Sequence, residues 1–272
     1  MYHFAAYHES MQNEWDEFAL HHGTIFHSTG FRSILLEAFG YRCAYQAILD
    51  SYDRICGVFP LVIGHSLDWK RVGVSLPFVN QLDICTENKE IGHFVMQELP
   101  LLSQKLGLDR MELRLKEQNA DRMVWSSRLE NHTFVLRLFE DEGDTLAQAS
   151  SGCRNHVRKT YRNGWFESSF DPEQLPMFYE VYVRRMKQLG SPAPDIGFFR
   201  RFFIHLPEHA SLLTIRDKSN HQVVGGMLLL KSPGDSTIYY PYGAGRIEYN
   251  NRYLNNFMYW EAVRFGIRCG MT

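Results

Sequence analysis

No two cysteines in this 272-residue chain are spaced as C-x-x-C. The five present, Cys43, Cys56, Cys85, Cys153 and Cys269, are odd in number and widely scattered. That pattern argues against a disulfide framework or a cysteine zinc site and for reduced thiols in a cytoplasmic protein. No run of about eighteen apolar residues occurs, so no membrane-spanning helix is expected. The opening "MYHFAAYHES" has neither the basic stretch nor the long apolar core of a signal peptide. Neither sign of charge dominates, the formal net charge being −2. This disfavours a protein that coats DNA or anionic membrane wholesale, which needs a strongly basic domain. The His21–His22 pair has no carboxylate or cysteine at metal-ligand spacing, so no metal is predicted. Phosphate-loop, dinucleotide-binding and G-x-S-x-G signatures are also missing.

What is present is an ordinary globular composition, 44% hydrophobic and 22% charged, with a high aromatic share of 14%. Against the near-neutral background one segment stands out, "RNHVRKTYRNG" from Arg154 to Gly164. Read as a helix, it places Arg154, Arg158 and Arg162 on one stripe, with Val157 and Tyr161 on another that can pack inward. A solvated helix face competes with a local anion-binding surface.

The chain also reads as two copies of one unit. In the first half a helix, "STGFRSILLEAFG", leads to strands "YQAILD", "RICGVFPLVIG" and "RVGVSLPF", a long helix "NKEIGHFVMQELPLLSQKLG" and a strand "RMELRL". In the second half, helices "PMFYEVYVRRMKQLG" and "IGFFRRFFIHL" lead to strands "SLLTIRD", "QVVGGMLLLK" and "STIYYPYGAG" and a helix "RYLNNFMYWEAVRFGIRCG". Ser28 reads as a helix N-cap, and "QKLGLD" and "IRCGMT" carry glycine C-cap signals. A repeat of roughly 120 residues indicates duplicated domains and not a solenoid. The sequence stops where the second copy of "RMELRL" is expected, so a shortened unit or a second chain completing the sheet is anticipated.

The order helix–hairpin–strand–loop–helix–strand resembles the GNAT acyltransferase unit. In tandem it is similar to the FemAB-type transferases and the BioF2-like (Acetyltransf_6) proteins. The carrying stretches are "FHSTGFRSILLEAFGY", "GVFPLV", "SLPF", "RNHVRKTYRNG", "FYEVYVRRMKQLGSP", "YYPYGAG" and "NNRYLNNFMYWEAVRFGIRCGMT". They most resemble a short variant associated with exopolysaccharide and PEP-CTERM surface systems. The resemblance implies an α/β (α+β) fold of two tandem GNAT-like domains, residues 1–143 and 144–272, the second lacking its C-terminal strands. It further implies transfer of an acyl or aminoacyl group onto an amine of a cell-envelope, peptidoglycan-type or exopolysaccharide precursor. Two departures stand out: the F-D-F-G-R-S strand and lysine-bearing F-K segment of the family are absent, and so is the coiled-coil arm of its tRNA-dependent members.

The same resemblance places the basic helix against a cleft between the domains. There Arg154, Arg158 and Lys159 would bind phosphates of a nucleotide- or lipid-linked sugar or of the donor. Tyr182 and Arg185, three apart on one helix face, would form a polar edge. The stretch "YYPYGAG" before "NNRYLNN" looks like the GNAT donor site, with Asn250 or Asn251 as the helix N-cap. The glycine fingerprint Q/R-x-x-G-x-G/A is not there, so the donor stays open between acyl-CoA, aminoacyl-tRNA and an acyl carrier. Tyr240 and Tyr242 are candidates for lining the acceptor channel or giving a proton, against a reading as core aromatics. Glu261 is a candidate general base for the attacking amine, against a surface helix position. A binding module that has lost catalysis is the alternative function, and a homodimer completing the second sheet is a further expectation.

Overall fold

The computed structural model describes residues 1–115 and 133–272. The chain divides into two compact units, Met1–Val135 and Leu136–Thr272.

The first unit runs β1 (His3–Ala6), α1 (Gln12–His22), α2 (Thr29–Phe39), β2 (Arg42–Cys43), β3 (Gln46–Leu49), β4 (Ile55–Phe59), β5 (Val62–His65), β6 (Arg71–Val74), β7 (Cys85–Thr86), α3 (Lys89–Lys105) and β8 (Arg110–Glu112). Two four-stranded sheets result, ordered β1-β3-β4-β7 and β2-β5-β6-β8. The expected strand "RICGVFPLVIG" is two strands, because Pro60 cannot donate to a ladder and the chain changes sheets there. Strand β8 runs parallel to β6, with Val72 opposite Arg110, and α3 supplies the crossover. Ile91, Val95, Leu99 and Leu102 of α3 recur on one helix face and pack with Ile48, Phe59 and Leu61. Ser28 caps α2 as expected, its side chain accepting from the Phe31 amide.

The second unit runs α4 (Glu142–Ala147), α5 (Ser151–Asn163), β9 (Phe166–Phe170), α6 (Leu175–Gln188), α7 (Ile196–His205), β10 (Ala210–Asp217), β11 (Val223–Ser232), β12 (Thr237–Gly245) and α8 (Leu254–Arg268). Its sheet is antiparallel throughout, in the order β12-β11-β10-β9. Strands β1 and β9 and helix α1 were not anticipated: each is short or weakly patterned, and their partners lie far along the chain. Strand β11 is buried along nearly its whole length, as a strand covered on both faces must be.

The paired glycines of "VVGGML" explain how both faces are covered. A Cβ on Gly226 would meet the Leu213 carbonyl oxygen at 2.6 Å and the Phe178 ring of α6 at 2.7 Å. On the other face, a Cβ on Gly225 would stand 3.3 Å from Met258 Sδ of α8. The two missing side chains let a helix close on each side of the same strand.

Because backbone cannot yield at Gly226, Gly226→Ala should lower unfolding free energy by about 2–3 kcal/mol. Gly225→Ala, whose Cβ would stand 3.3 Å from both the Ala244 carbonyl oxygen and Met258 Sδ, should cost less. Denaturant midpoints of the two variants measure the difference, and equal midpoints would contradict it.

Candidate functional site

Helix α5 begins at Ser150, whose hydroxyl accepts from the Cys153 amide, and ends at Gly164 in the left-handed conformation. Only Val157 and Thr160 are buried along it, so the helix is amphipathic with a broad polar face. Its expected cations have different surroundings. Arg154 is engaged by backbone: Nη1 donates to the carbonyls of Ala149 at 2.5 Å and Ala147 at 3.3 Å, closing the end of α4. That corrects its reading as a free phosphate contact. Arg158 is exposed and has no protein partner among the described residues. Lys159 reaches Tyr253, its Nζ lying 5.2 Å from the ring centroid. His156 stacks on the same ring at 4.0 Å and 10°.

Tyr253 is the residue that opens α8. It takes φ +58°, a left-handed conformation that bulky residues seldom adopt, and no side chain caps the helix. The expected N-caps Asn250 and Asn251 lie instead in a 3-10 turn, Ile247–Arg252, that precedes it. The first amides of α8 therefore lack a side-chain acceptor, and the positive end of the helix dipole is uncompensated there. The connection also carries Arg246 and Arg252. Arg252 bonds the buried Asp217 at 3.1 Å, and Asp217 further accepts from the Ser219 amide and hydroxyl. Burial would raise the Asp217 carboxyl, but these donors outweigh it and hold it below its ordinary value. Arg246 donates to Gln222 at 3.2 Å, while its Nε is buried without a hydrogen-bond partner. An uncapped helix start with Lys159 beside its first residue gives this end of the second unit a local positive potential.

The candidate aromatic residues are not brought together as expected. Leu228 pairs with Tyr242 and Leu230 with Tyr239, so Tyr240 and Pro241 both oppose Leu229. This bulge, at a proline that cannot donate, turns neighbouring side chains to opposite faces. Tyr240 points to α8, where its hydroxyl meets that of Tyr259 at 2.8 Å. Tyr242 points to α6 and α7, its ring 5.3–6.3 Å from those of Tyr182, Phe198, Phe199 and Phe202. Burial raises the Tyr242 hydroxyl well above its ordinary value, so it holds its proton. Tyr182 is only 5% exposed and belongs to this aromatic cluster. It forms no polar edge with Arg185, which donates to Gln188 at 3.4 Å.

Glu261 is not at the surface either; it is 4% exposed. Its Oε2 accepts from Ser168 of β9 at 2.5 Å, and its Oε1 accepts from Tyr161 of α5 and from Arg264 at 3.0 Å. Arg264 in turn holds both oxygens of Glu142 in α4 at 2.9 Å. Burial would push the Glu261 carboxyl up, but the donors from Ser168, Tyr161 and Arg264 prevail and keep it below 4.5. A carboxylate so occupied has little affinity left for a substrate proton, which corrects its reading as a general base. A cavity of about 230 Å³ lies beside it, lined by Tyr161, Ser168, Lys218, Phe257, Glu261 and Arg264 among others. Sequence reasoning missed Tyr253, His156, Arg246 and Arg264. The i, i+3 spacing of Glu261 and Arg264 was the one local signal for any of them. Among the described residues no three His, Cys, Asp or Glu side chains converge as metal ligands.

No family model matches the chain, and no curated protein matches it in sequence. Solved structures do. FemX is 13% identical with a TM-score of 0.67, over 96% of this chain and 85% of its own. The C-terminal domain of a putative lysylphosphatidylglycerol synthetase from Agrobacterium fabrum is 6% identical with a TM-score of 0.53, over 96% and 75%. L-PGS from Bacillus licheniformis is 10% identical with a TM-score of 0.50, over 90% and 73%. At such identities the likeness is one of fold, and the fold is two GNAT-like α/β units in tandem.

The depressed Glu261 carboxyl gives a signed pH dependence. Above about pH 4.5 the unfolded chain carries the same charge and the full stabilisation is present; it fades as pH falls through the lower folded value. Glu261→Gln should cost about 2 kcal/mol at pH 7, Arg264 keeping Glu142 as its partner. It should also flatten the loss of stability below pH 4.5. Urea unfolding of both proteins from pH 3 to pH 7 checks the two effects.

Proposed function

We propose that the protein is an acyl- or aminoacyltransferase, acting in the cytoplasm on an amine of a cell-envelope or exopolysaccharide precursor. The observation that carries this reading is the placement of Lys159 against Tyr253 at the uncapped start of α8. A phosphate of the donor, acyl-CoA or aminoacyl-tRNA, would receive the first α8 amides, with Lys159 and Arg158 supplying charge. The likeness to FemX and to lysylphosphatidylglycerol synthetase domains supports the reading, since the latter name describes an aminoacylated lipid.

The reaction is direct attack of the acceptor amine on the donor carbonyl. The new C–N bond forms as the thioester or ester bond breaks, the amine loses one proton and the leaving sulfur or oxygen gains one. Positioning and stabilisation of the developing oxyanion would do most of the work. Tyr242 and Tyr259 keep their protons, and they and Tyr240, hydrogen-bonded to Tyr259, are candidate donors to the leaving group. A second reading, a module that binds an anionic ligand without turnover, is favoured by one observation: both oxygens of Glu261 are already occupied.

Incubation with acyl-CoA and aminoacyl-tRNA panels and amine-bearing nucleotide- or lipid-linked sugars, read by mass spectrometry, should show an acylated acceptor. Arg158→Ala with Lys159→Ala should weaken donor binding about tenfold or more, in a salt-dependent way. Binding lost in the variant without turnover in either protein would favour the second reading. No turnover together with unchanged binding would remove both.

A further inference from the structure

The first unit carries a feature that acyl transfer does not require. At the tip of the β5–β6 hairpin, Leu67 is 104% and Trp69 83% exposed. The turn is nonetheless well tied. The Ser66 amide donates to the Lys70 carbonyl at 3.0 Å and the Trp69 amide to the Ser66 carbonyl at 2.9 Å. The Ser66 hydroxyl bonds Asp68 at 2.5 Å. Trp69 sits at φ +61°, a position where hairpin turns ordinarily take Gly or Asn. An indole there gains nothing from the turn and stands in water. The ring is 6.5 Å from that of His65 and, among the described residues, is not part of the apolar core cluster of this unit.

The surroundings have a definite sign. Lys70 pairs with Asp68 at 3.1 Å and so neutralises it. Arg71 and Arg110 begin neighbouring strands at the same end of the sheet, and Lys105 is the last residue of α3. Arg71 lies against Gly107, just beyond the end of α3, and its amide binds Asp109 at 2.7 Å; Arg110 stands opposite Val72 and its charge is felt by Asp68. Four cationic side chains thus meet two carboxylates in a chain whose net charge is −2.

We propose that this hairpin tip docks the protein on an anionic bilayer surface, Leu67 and Trp69 entering the interface and Lys70, Arg71, Lys105 and Arg110 facing the headgroups. Trp is favoured at the headgroup level, where one edge is wet and the rest apolar. Cations beside an apolar insertion add attraction to anionic lipid that salt weakens. The pre-tied turn presents both side chains without an ordering cost. A protein groove would also accept a Leu–Trp pair, but it would not require the surrounding positive charge. The inference is independent of the acyltransferase reading and is tested without any donor or acceptor.

The 272-residue chain is sedimented with vesicles of phosphatidylcholine alone and with about 30% phosphatidylglycerol, at low and high salt. Binding to the anionic vesicles only, weakened by salt, is expected. Leu67→Ser with Trp69→Ser should lower the partition coefficient about tenfold or more. Brominated lipid should quench part of the tryptophan emission of the parent, and that part should vanish in Trp69→Phe, a variant that keeps the aromatic ring and the fold. Absent vesicle binding, unchanged binding by the double variant, or quenching that survives Trp69→Phe would each overturn the proposal. Capture of a protein or nucleic acid by the tip without vesicle binding would overturn it equally.

Discussion

One buried carboxylate organises the second unit. Glu261 is only 4% exposed, so its charge depends on the donors that Ser168, Tyr161 and Arg264 aim at it from a strand, a helix and its own helix. Through Arg264 the same group reaches Glu142, so α4, α5, β9 and α8 are fixed by a single connected set of polar contacts. Such a network is cooperative: removing Glu261 leaves the Ser168 and Tyr161 donors without their acceptor while Arg264 keeps Glu142. The role of Glu261 is therefore one of positioning.

The apolar side of that placement depends on two residues without side chains. Gly225 and Gly226 allow α8 and α6 to approach opposite faces of β11. Helix α8, held by glycine on its inner face and by Glu261 along its length, begins at a strained Tyr253 whose ring receives His156 and Lys159. Packing, ion pairing and the opening of the helix thus converge on the same stretch of backbone. That convergence is why the exposed basic helix lies beside the uncapped start of α8.

Much of the scaffold could be read locally. The helical periodicity of "NKEIGHFVMQELPLLSQKLG", the glycine stops and the Ser28 cap are decided within a turn or two of chain, where hydrogen bonds and side-chain spacing are short-range. The site was less legible, for physical reasons that differ by residue. Arg154 looks like Arg158 in sequence, but carbonyls five and seven residues back engage one and not the other. Tyr240 and Tyr242 share a strand parity until Pro241 produces a bulge that depends on pairing with β11. Asn251 is a good capping residue that the chain bypasses, because a 3-10 turn carries it past the helix start.

By itself, then, the sequence determined the order of the longer helices and strands, the duplicated α/β unit and the charge of α5, since each rests on neighbours along the chain. Tertiary structure alone decided which cations stay available, which tyrosines face each helix and whether Glu261 meets solvent. The burial of Glu261 depends on donors contributed from about a hundred residues away, as with Tyr161, and no local pattern encodes where such a distant partner will stand.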